Sequence, residues 1–354
     1  MVKGGYFWYR RILAMAVIVL SMALFVSIYT KNEQNVIVEA GNEGTVVYPC
    51  GFPVGIYLET EGVLVIGTDT VTGDDGINYE PAYGIVREGD YIVAINEINV
   101  SAKSQLSFLV QKYGKKDVVL TLRRDGKCID VKIKPVCVGK NQYKLGIWVK
   151  DDSQGIGTMT FITDKGDFGA LGHGISDNDT KKLLDSENGL LYGAKIWGIT
   201  KGRSGTAGSL CGSINYEDDN IIGNINKNCE VGIYGEIDSK NLNKLVSKYD
   251  LKPMEVAGRR EVKTGKAYIL ACVTGDIQQY EIEITALNTI PDSNKGIVLK
   301  VTDEKLIALT GGIVQGCSGS PIIQDGKLVG AVTHVFLRDS KMGYGIFIED
   351  MLEQ

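Results

Sequence analysis

The chain has 354 residues, too many for one ordinary core and suited to two globular domains of about 100–200 residues plus a tail. Gly is abundant at 44 residues and Pro scarce at 7, and short β-branched runs broken by Gly, Asn and Asp favour β-rich architecture over helical bundles and argue against disorder. The formal net charge of −5 comes with no Lys/Arg block beyond the N-terminus, so the electrostatic footprint of a nucleic-acid binder is missing.

The first feature in chain order is the apolar run Ile12 to Tyr29, 18 residues interrupted only by Ser21 and Ser27 and preceded by Lys3, Arg10 and Arg11. At about 1.5 Å per residue it reaches across most of a bilayer core, and the preceding positive charges orient it with the later residues exported. No A-x-A-like cleavage site follows, so a retained transmembrane anchor at 1–30 is expected rather than a removed signal peptide. Residues 31–50 read as a linker or leading strand ending in the turn Tyr48-Pro49-Cys50-Gly51.

Residues 51–137 are expected to form a binding module. Gly84-Ile85-Val86-Arg87-Glu88-Gly89-Asp90 feeds the apolar strand Tyr91 to Ile95, then comes a helix over Leu106 to Tyr113, a strand at Val118 to Leu122, and a hairpin turn at Arg124-Asp125-Gly126-Lys127. This pattern resembles a PDZ domain. Such a domain adds an extended peptide to a sheet edge and receives its C-terminal carboxylate on loop amides, which here would come from Gly51, Phe52, Val54 and Gly55, with Pro53 removing one donor. A spacer that contacts only its own neighbouring domain is the other use of such a fold.

Residues 138–354 carry the chemistry. Gly316-Cys317-Ser318-Gly319-Ser320-Pro321 is a tight turn before a strand, the setting in which a serine Oγ is exposed while the amides of Gly316 and Ser318 converge as an oxyanion hole. Cys317 is the rival nucleophile, but adjacent side chains in a tight turn diverge, and a buried packing role suits it. The chain has two histidines. His173 closes a strand in Gly172-His173-Gly174, a rim position suited to a general base, whereas His334 lies inside a strand and reads as structural or cleft-lining. Spacing does not choose the orienting carboxylate: Asp303 in Leu299-Lys300-Val301-Thr302-Asp303 suits a shielded acid, and Asp177 and Asp179 read as solvated turn residues.

The seven cysteines are widely spaced without C-x-x-C, and two histidines do not complete a zinc set, so no metal or cofactor is expected. Cys128 and Cys137 flank one strand and would pair only if the chain folds back between them.

Taken together, these features resemble the SpoIVB serine peptidases of endospore-forming bacteria. The motifs are Ala170-Leu171-Gly172-His173-Gly174-Ile175, Thr310 to Gly316 leading into Ser318-Gly319-Ser320-Pro321-Ile322-Ile323-Gln324, Gly330-Ala331-Val332-Thr333-His334-Val335-Phe336 and Gly343 to Glu349. The resemblance implies a mainly β protein with a chymotrypsin-like double β-barrel and a triad of His173, Asp303 and Ser318. It further implies self-cleavage, and cleavage of a protein partner that restrains a membrane-embedded metalloprotease and so controls a late mother-cell sigma factor. The implied location is the space between the forespore and mother-cell membranes. Cys317 and the Pro53 loop have no counterpart carried over from the family. Two other readings stand beside this one: a PDZ adaptor with an inactive peptidase-like domain, and a cysteine peptidase using Cys317.

Overall fold

Alternation of apolar with small or polar residues dictates most of what forms, and the chain is mainly β. The computed structural model describes residues 44–186, 188–203, 205–288 and 294–354, and residues 44–354 form one compact unit. The expected anchor at 1–30 lies outside the described residues, among which no helix is long and apolar enough to cross a membrane.

Two long strands, Pro53–Thr68 and Ile147–Ile162, pair antiparallel along most of their length. From Ile147–Ile162 the pairing runs to Asp167–Ala170, then Gly232–Glu236, Ile221–Cys229 and Asn188–Thr200, and back to Pro53–Thr68. These six strands close a ring. Inside it lie Val54, Ile56, Leu58, Met159, Phe168, Ala170, Leu191, Ile225 and Ile233, every second residue of each strand pointing inward. The helix Ser239–Tyr249 covers one end with Leu242 and Leu245; Asp238 caps it by accepting from the Asn241 amide, and Tyr249 stacks on Phe52 at 4.5 Å.

A second closed barrel follows, in the order Gly265–Ala271, Gln278–Leu287, Ile297–Val301, Asp339–Phe347, Lys327–Phe336 and Pro321–Gln324, the last returning to the first. Its core holds Ala267, Ile269, Tyr280, Ile282, Ile284, Leu299, Val301, Ile322, Val332 and Phe347.

The third core belongs to a lobe carried on the outer halves of the two long strands. Strands Tyr91–Ile95, Val118–Arg124 and Lys127–Ile133 and the helix Lys103–Tyr113 enclose Ile92, Ile95, Leu106, Leu109, Val110, Leu120, Leu122 and Ile133. The expected Gly-Asp turn is its lock. Asp90 is 1% exposed and accepts two hydrogen bonds of 2.7 Å from the Arg124 guanidinium and one of 2.8 Å from the Arg87 amide. Removing one partner of such a buried pair costs about 3–5 kcal/mol because the other charge is stranded.

The lobe is therefore inserted between two barrel strands rather than standing ahead of the barrel, and the boundary expected at residue 51 falls elsewhere. Phe52, Val54, Ile56 and Leu58 alternate into the first barrel, and the lobe's core starts at Val63. The same packing corrects the peptide-binding loop expected at Gly51, Phe52, Val54 and Gly55. Phe52 and Val54 are core residues, the Gly51 amide donates to Met159 at 2.9 Å, and Val54 and Gly55 pair on both sides with 156–157 and 192–193. The run is thus a paired barrel strand with its side chains in the core, not an open loop presenting amides to a carboxylate. All seven cysteines are free thiols, Cys128 and Cys137 included.

Candidate active site

The histidine is delivered by a strand that ends abruptly. After Asp167–Ala170 the backbone turns through positive φ at Leu171 (71°) and Gly172 (69°). A leucine in the left-handed region stores strain that surrounding structure must hold, here through its amide bond to the Thr158 carbonyl at 3.3 Å. Gly172 is required as well, since a Cβ there would lie 3.0 Å from both Thr333 and Ile346 of the second barrel. His173 thus emerges at the seam between the barrels.

Its Nδ1 lies 2.9 Å from the Gly174 carbonyl oxygen. A carbonyl only accepts, so the proton sits on Nδ1 and Nε2 keeps its lone pair, the tautomer a general base needs. Burial lowers the pKa of His173 from the ordinary value, and the bond to Gly174 opposes that in part. The ring centroid of His334 stands 4.9 Å away, tilted by 37°. Burial first, then the charges of His173 and Lys295, push His334 down to about 4, so it is neutral near pH 7, and its buried Nδ1 has no partner among the described residues. As expected from the sequence, His334 lines the site from within a strand, Lys327–Phe336.

The serine arrives from the other barrel. Val314–Gln315 pairs parallel with Gly208–Ser209, and the chain then turns through Gly316 (φ 99°) and Gly319 (φ 94°). Within the turn the Cys317 amide donates to Val314, the Ser320 amide to Cys317 and the Gly319 amide to Val332, whereas the Ser318 amide has no acceptor among the described residues. The turn is bolted to the strand that neighbours the histidine: Thr158 donates its amide to the Ser318 carbonyl (3.1 Å) and its hydroxyl to Gly316 (2.6 Å), and the Thr160 hydroxyl donates to Gly319 (2.8 Å). A Cβ at Gly319 would sit 2.1 Å from the Thr158 oxygen and 2.6 Å from the Leu171 nitrogen, so only glycine permits this approach. The Ser318 hydroxyl donates to the Thr333 carbonyl at 2.8 Å, beside His334.

Cys317 points the other way. It is 3% exposed, within the second barrel's core, and burial pushes its thiol up to about 11. A thiol so held is protonated near pH 7 and is no nucleophile.

The structure does not bring Asp303 to His173. Asp303 is the N-cap of the helix Glu304–Thr310: one carboxylate oxygen accepts from the Leu306 amide (2.9 Å) and the other from the Glu281 amide (3.3 Å). The semi-apolar setting read from the sequence is that of a helix cap, and the place at His173 Nδ1 is taken by the Gly174 carbonyl. Asp177 is not solvated: it is 6% exposed and accepts from the amides of Asp179 (2.9 Å) and Thr180 (2.8 Å) and from Lys150 (3.1 Å). Asp179 is exposed, as expected, and pairs with Lys150. Thr158, Thr160 and the Gly174 carbonyl were not legible as site residues. The only sequence signal for the threonines is their alternation in Thr158-Met159-Thr160, and a carbonyl has none.

A serine on a glycine-flanked turn of one barrel, fastened to the strand end of a second barrel that presents a neutral imidazole, is the arrangement of a serine peptidase. The model of the SpoIVB peptidase S55 family matches residues 141–352, and the chain belongs to that family. Among solved structures, the active form of the Rv3671c protease from M. tuberculosis is 14% identical over 57% of this chain and 73% of that one, with a TM-score of 0.32. Its inactive form is 14% identical over 56% and 82%, with a TM-score of 0.31. An HtrA-type protease with a decapeptide is 11% identical over 85% of this chain and 61% of that one, with a TM-score of 0.33. No curated protein matches the chain.

Proposed function

We propose that this serine peptidase is a signalling endopeptidase in which Ser318 is the nucleophile and His173 the base. The observation that carries the assignment is the clamp of Thr158 and Thr160 on the nucleophile turn, with the Leu171 amide bonded to the Thr158 carbonyl, which ties Ser318 to the segment bearing His173. In the resting arrangement the hydroxyl sits on the Thr333 carbonyl. A change of χ1 rotamer would redirect it to His173 Nε2, which takes the proton as Oγ attacks the scissile carbonyl. The amides of Gly316 and Ser318 would receive the oxyanion, each donor contributing about 2.7–4 kcal/mol to the barrier reduction. The imidazolium keeps its Nδ1 bond to Gly174, returns the proton to the leaving amine, and then activates water to release the acyl group. No cofactor enters this scheme.

The inserted lobe is read as a PDZ-like module. A cavity of about 670 Å³ runs between its helix Lys103–Tyr113 and residues 142–149, with Leu106, Val110, Leu145 and Trp148 among its walls. Gln111 bridges its sides by bonding both the amide and the carbonyl of Tyr143 at 2.9 Å. A groove between a helix and a strand suits an extended peptide, from a partner or from this chain. Family membership further supports a sporulation role: export across the forespore membrane, anchoring by residues 12–29, self-cleavage, and cleavage of a protein that restrains a membrane-embedded metalloprotease. Treating the full chain with a fluorophosphonate tests the chemistry. Modification at Ser318 that requires His173 supports the peptidase, and a folded chain inert at Ser318 would favour an adaptor with an inactive domain.

A further inference from the structure

The segment that follows the histidine, residues 174–186, is held at both ends by different parts of the molecule. On the barrel side, Asn228 makes three bonds: its Oδ1 accepts from the Ile175 amide (2.9 Å), and its Nδ2 donates to the carbonyls of Ile175 (2.9 Å) and Leu184 (2.8 Å). The Gly174 amide donates to the Glu230 carbonyl at 3.3 Å, and a Cβ on Gly174 would strike the Cys229 oxygen at 2.4 Å. The peptide unit whose carbonyl orients His173 therefore has little freedom.

On the lobe side, the Tyr91 hydroxyl accepts from the Asp185 amide (3.1 Å), and Arg123 pairs with both Asp185 and Glu61 at 2.9 Å. Leu184 shares an apolar cluster with Leu64 and Tyr91, with Ile175 packed against it. Lys150 reaches Asp177 and Asp179 in the middle of the segment. Burial drives the Asp177 carboxyl up, but the amides of Thr180 and Asp179 and the Lys150 ammonium outweigh it and hold the group ionised.

We propose that residues 174–186 form a strap that positions His173, with Asn228 fixing it to the barrel and Tyr91, Arg123 and Lys150 fixing it to the inserted lobe, so that the lobe sets the geometry of the base. Asn228 is on this account a positioning residue: it touches no reacting atom and acts through the Gly174 carbonyl. The proposal rests on the reading of His173 as base, and its test is kept separable from that reading.

The test uses the full chain and two readouts, the rate of Ser318 modification by a fluorophosphonate and the tautomer of His173 by imidazole nitrogen NMR. Two histidines make the spectrum tractable, since His334→Gln assigns the pair. Asn228→Ala is expected to slow modification by about 10- to 100-fold, as small misplacements of catalytic groups do, and to shift His173 away from the Nδ1–H tautomer. Because that variant risks misfolding, the partly exposed pair is tested alongside. Arg123→Glu and Asp185→Arg alone should each slow modification, and together should recover part of the lost rate, since the reversed pair regains its attraction while the new carboxylate still faces Glu61. A wild-type tautomer and rate in folded Asn228→Ala, or a double variant no better than the singles, would overturn the strap. Loss of the whole reading looks different: modification that persists unchanged in His173→Ala removes the base assignment, while the tautomer shift in Asn228→Ala still judges the strap on its own.

Discussion

Replacing Cys317 separates the two neighbouring nucleophiles, and the structure sets the size of each effect. With its thiol pushed up to about 11 by burial, only about one molecule in 10⁴ carries a thiolate at pH 7, against a few per cent for a free cysteine. Cys317→Ala removes one sulfur from the second barrel's core and leaves the turn's backbone bonds in place, so the expected cost is about 1 kcal/mol. That corresponds to a fall in Tm of roughly 1–2 °C for a unit spanning residues 44–354, at about 2.1 cal/mol/K of unfolding entropy per residue. Cys317→Ser is the less conservative change. It puts a hydroxyl among apolar groups, at a cost of about 1–3 kcal/mol if no partner is found. The assay is hydrolysis of a fluorogenic peptide together with thermal melting. Cys317→Ala should keep kcat/KM within about threefold of wild type, whereas Ser318→Ala should lose on the order of 10⁴-fold or more with an unchanged melt. A folded, inactive Cys317→Ala, or inactivation by iodoacetamide through Cys317 in the native chain, would refute the reasoning.

Asp303→Asn retains an oxygen for the Leu306 amide and should keep kcat/KM within a few-fold, while Asp303→Ala should lose about 1 kcal/mol of stability with the cap; a loss near 10⁴-fold in folded Asp303→Asn would return it to the triad. The pH profile of kcat/KM should be flat above about 7 and fall only in acid, because burial sets His173 below its ordinary value near 6.5 and the neutral form is the active one; an acid limb above 7 would contradict this. His334, held at about 4 when folded, binds its proton more readily in the unfolded chain. Stability should therefore decline as pH falls from about 6.5 toward about 4, and the melting curves of His334→Gln should decline less over that window. Trp148→Glu, at the exposed wall of the lobe's groove, should weaken capture of extended peptides while leaving hydrolysis of a short fluorogenic peptide unchanged, and equal loss of both would make the lobe a structural support.

What was legible in the sequence was local. Gly316 to Pro321 is readable because a tight turn needs glycine at fixed positions, and Gly172-His173 because a strand end needs the same. The Gly-Asp turn before Tyr91 is readable as a turn that feeds a strand, although the burial of Asp90 and its partner Arg124 are not. What failed was what only tertiary pairing decides. The run from Gly51 to Gly55 has the composition of an open loop, but its alternation with Phe52, Val54 and Ile56 is that of a barrel strand, and the lobe's insertion between two long strands leaves no break in composition. Asp303 was read for its apolar neighbours, which a helix cap at a strand end shares with a shielded acid. Asp177 looked solvated because nothing in sequence brings Lys150 to it.

The central claim is that Ser318 and His173 form the working pair across the two barrels. It is tested most directly by treating the full chain with a fluorophosphonate and locating and timing the modification by mass spectrometry in wild type, His173→Ala and His334→Ala. The account predicts modification at Ser318 in wild type, loss on the order of 10³-fold or more in rate for His173→Ala, and a rate within about tenfold of wild type for His334→Ala. Equal rates in wild type and His173→Ala, or a larger loss in His334→Ala than in His173→Ala, would contradict it.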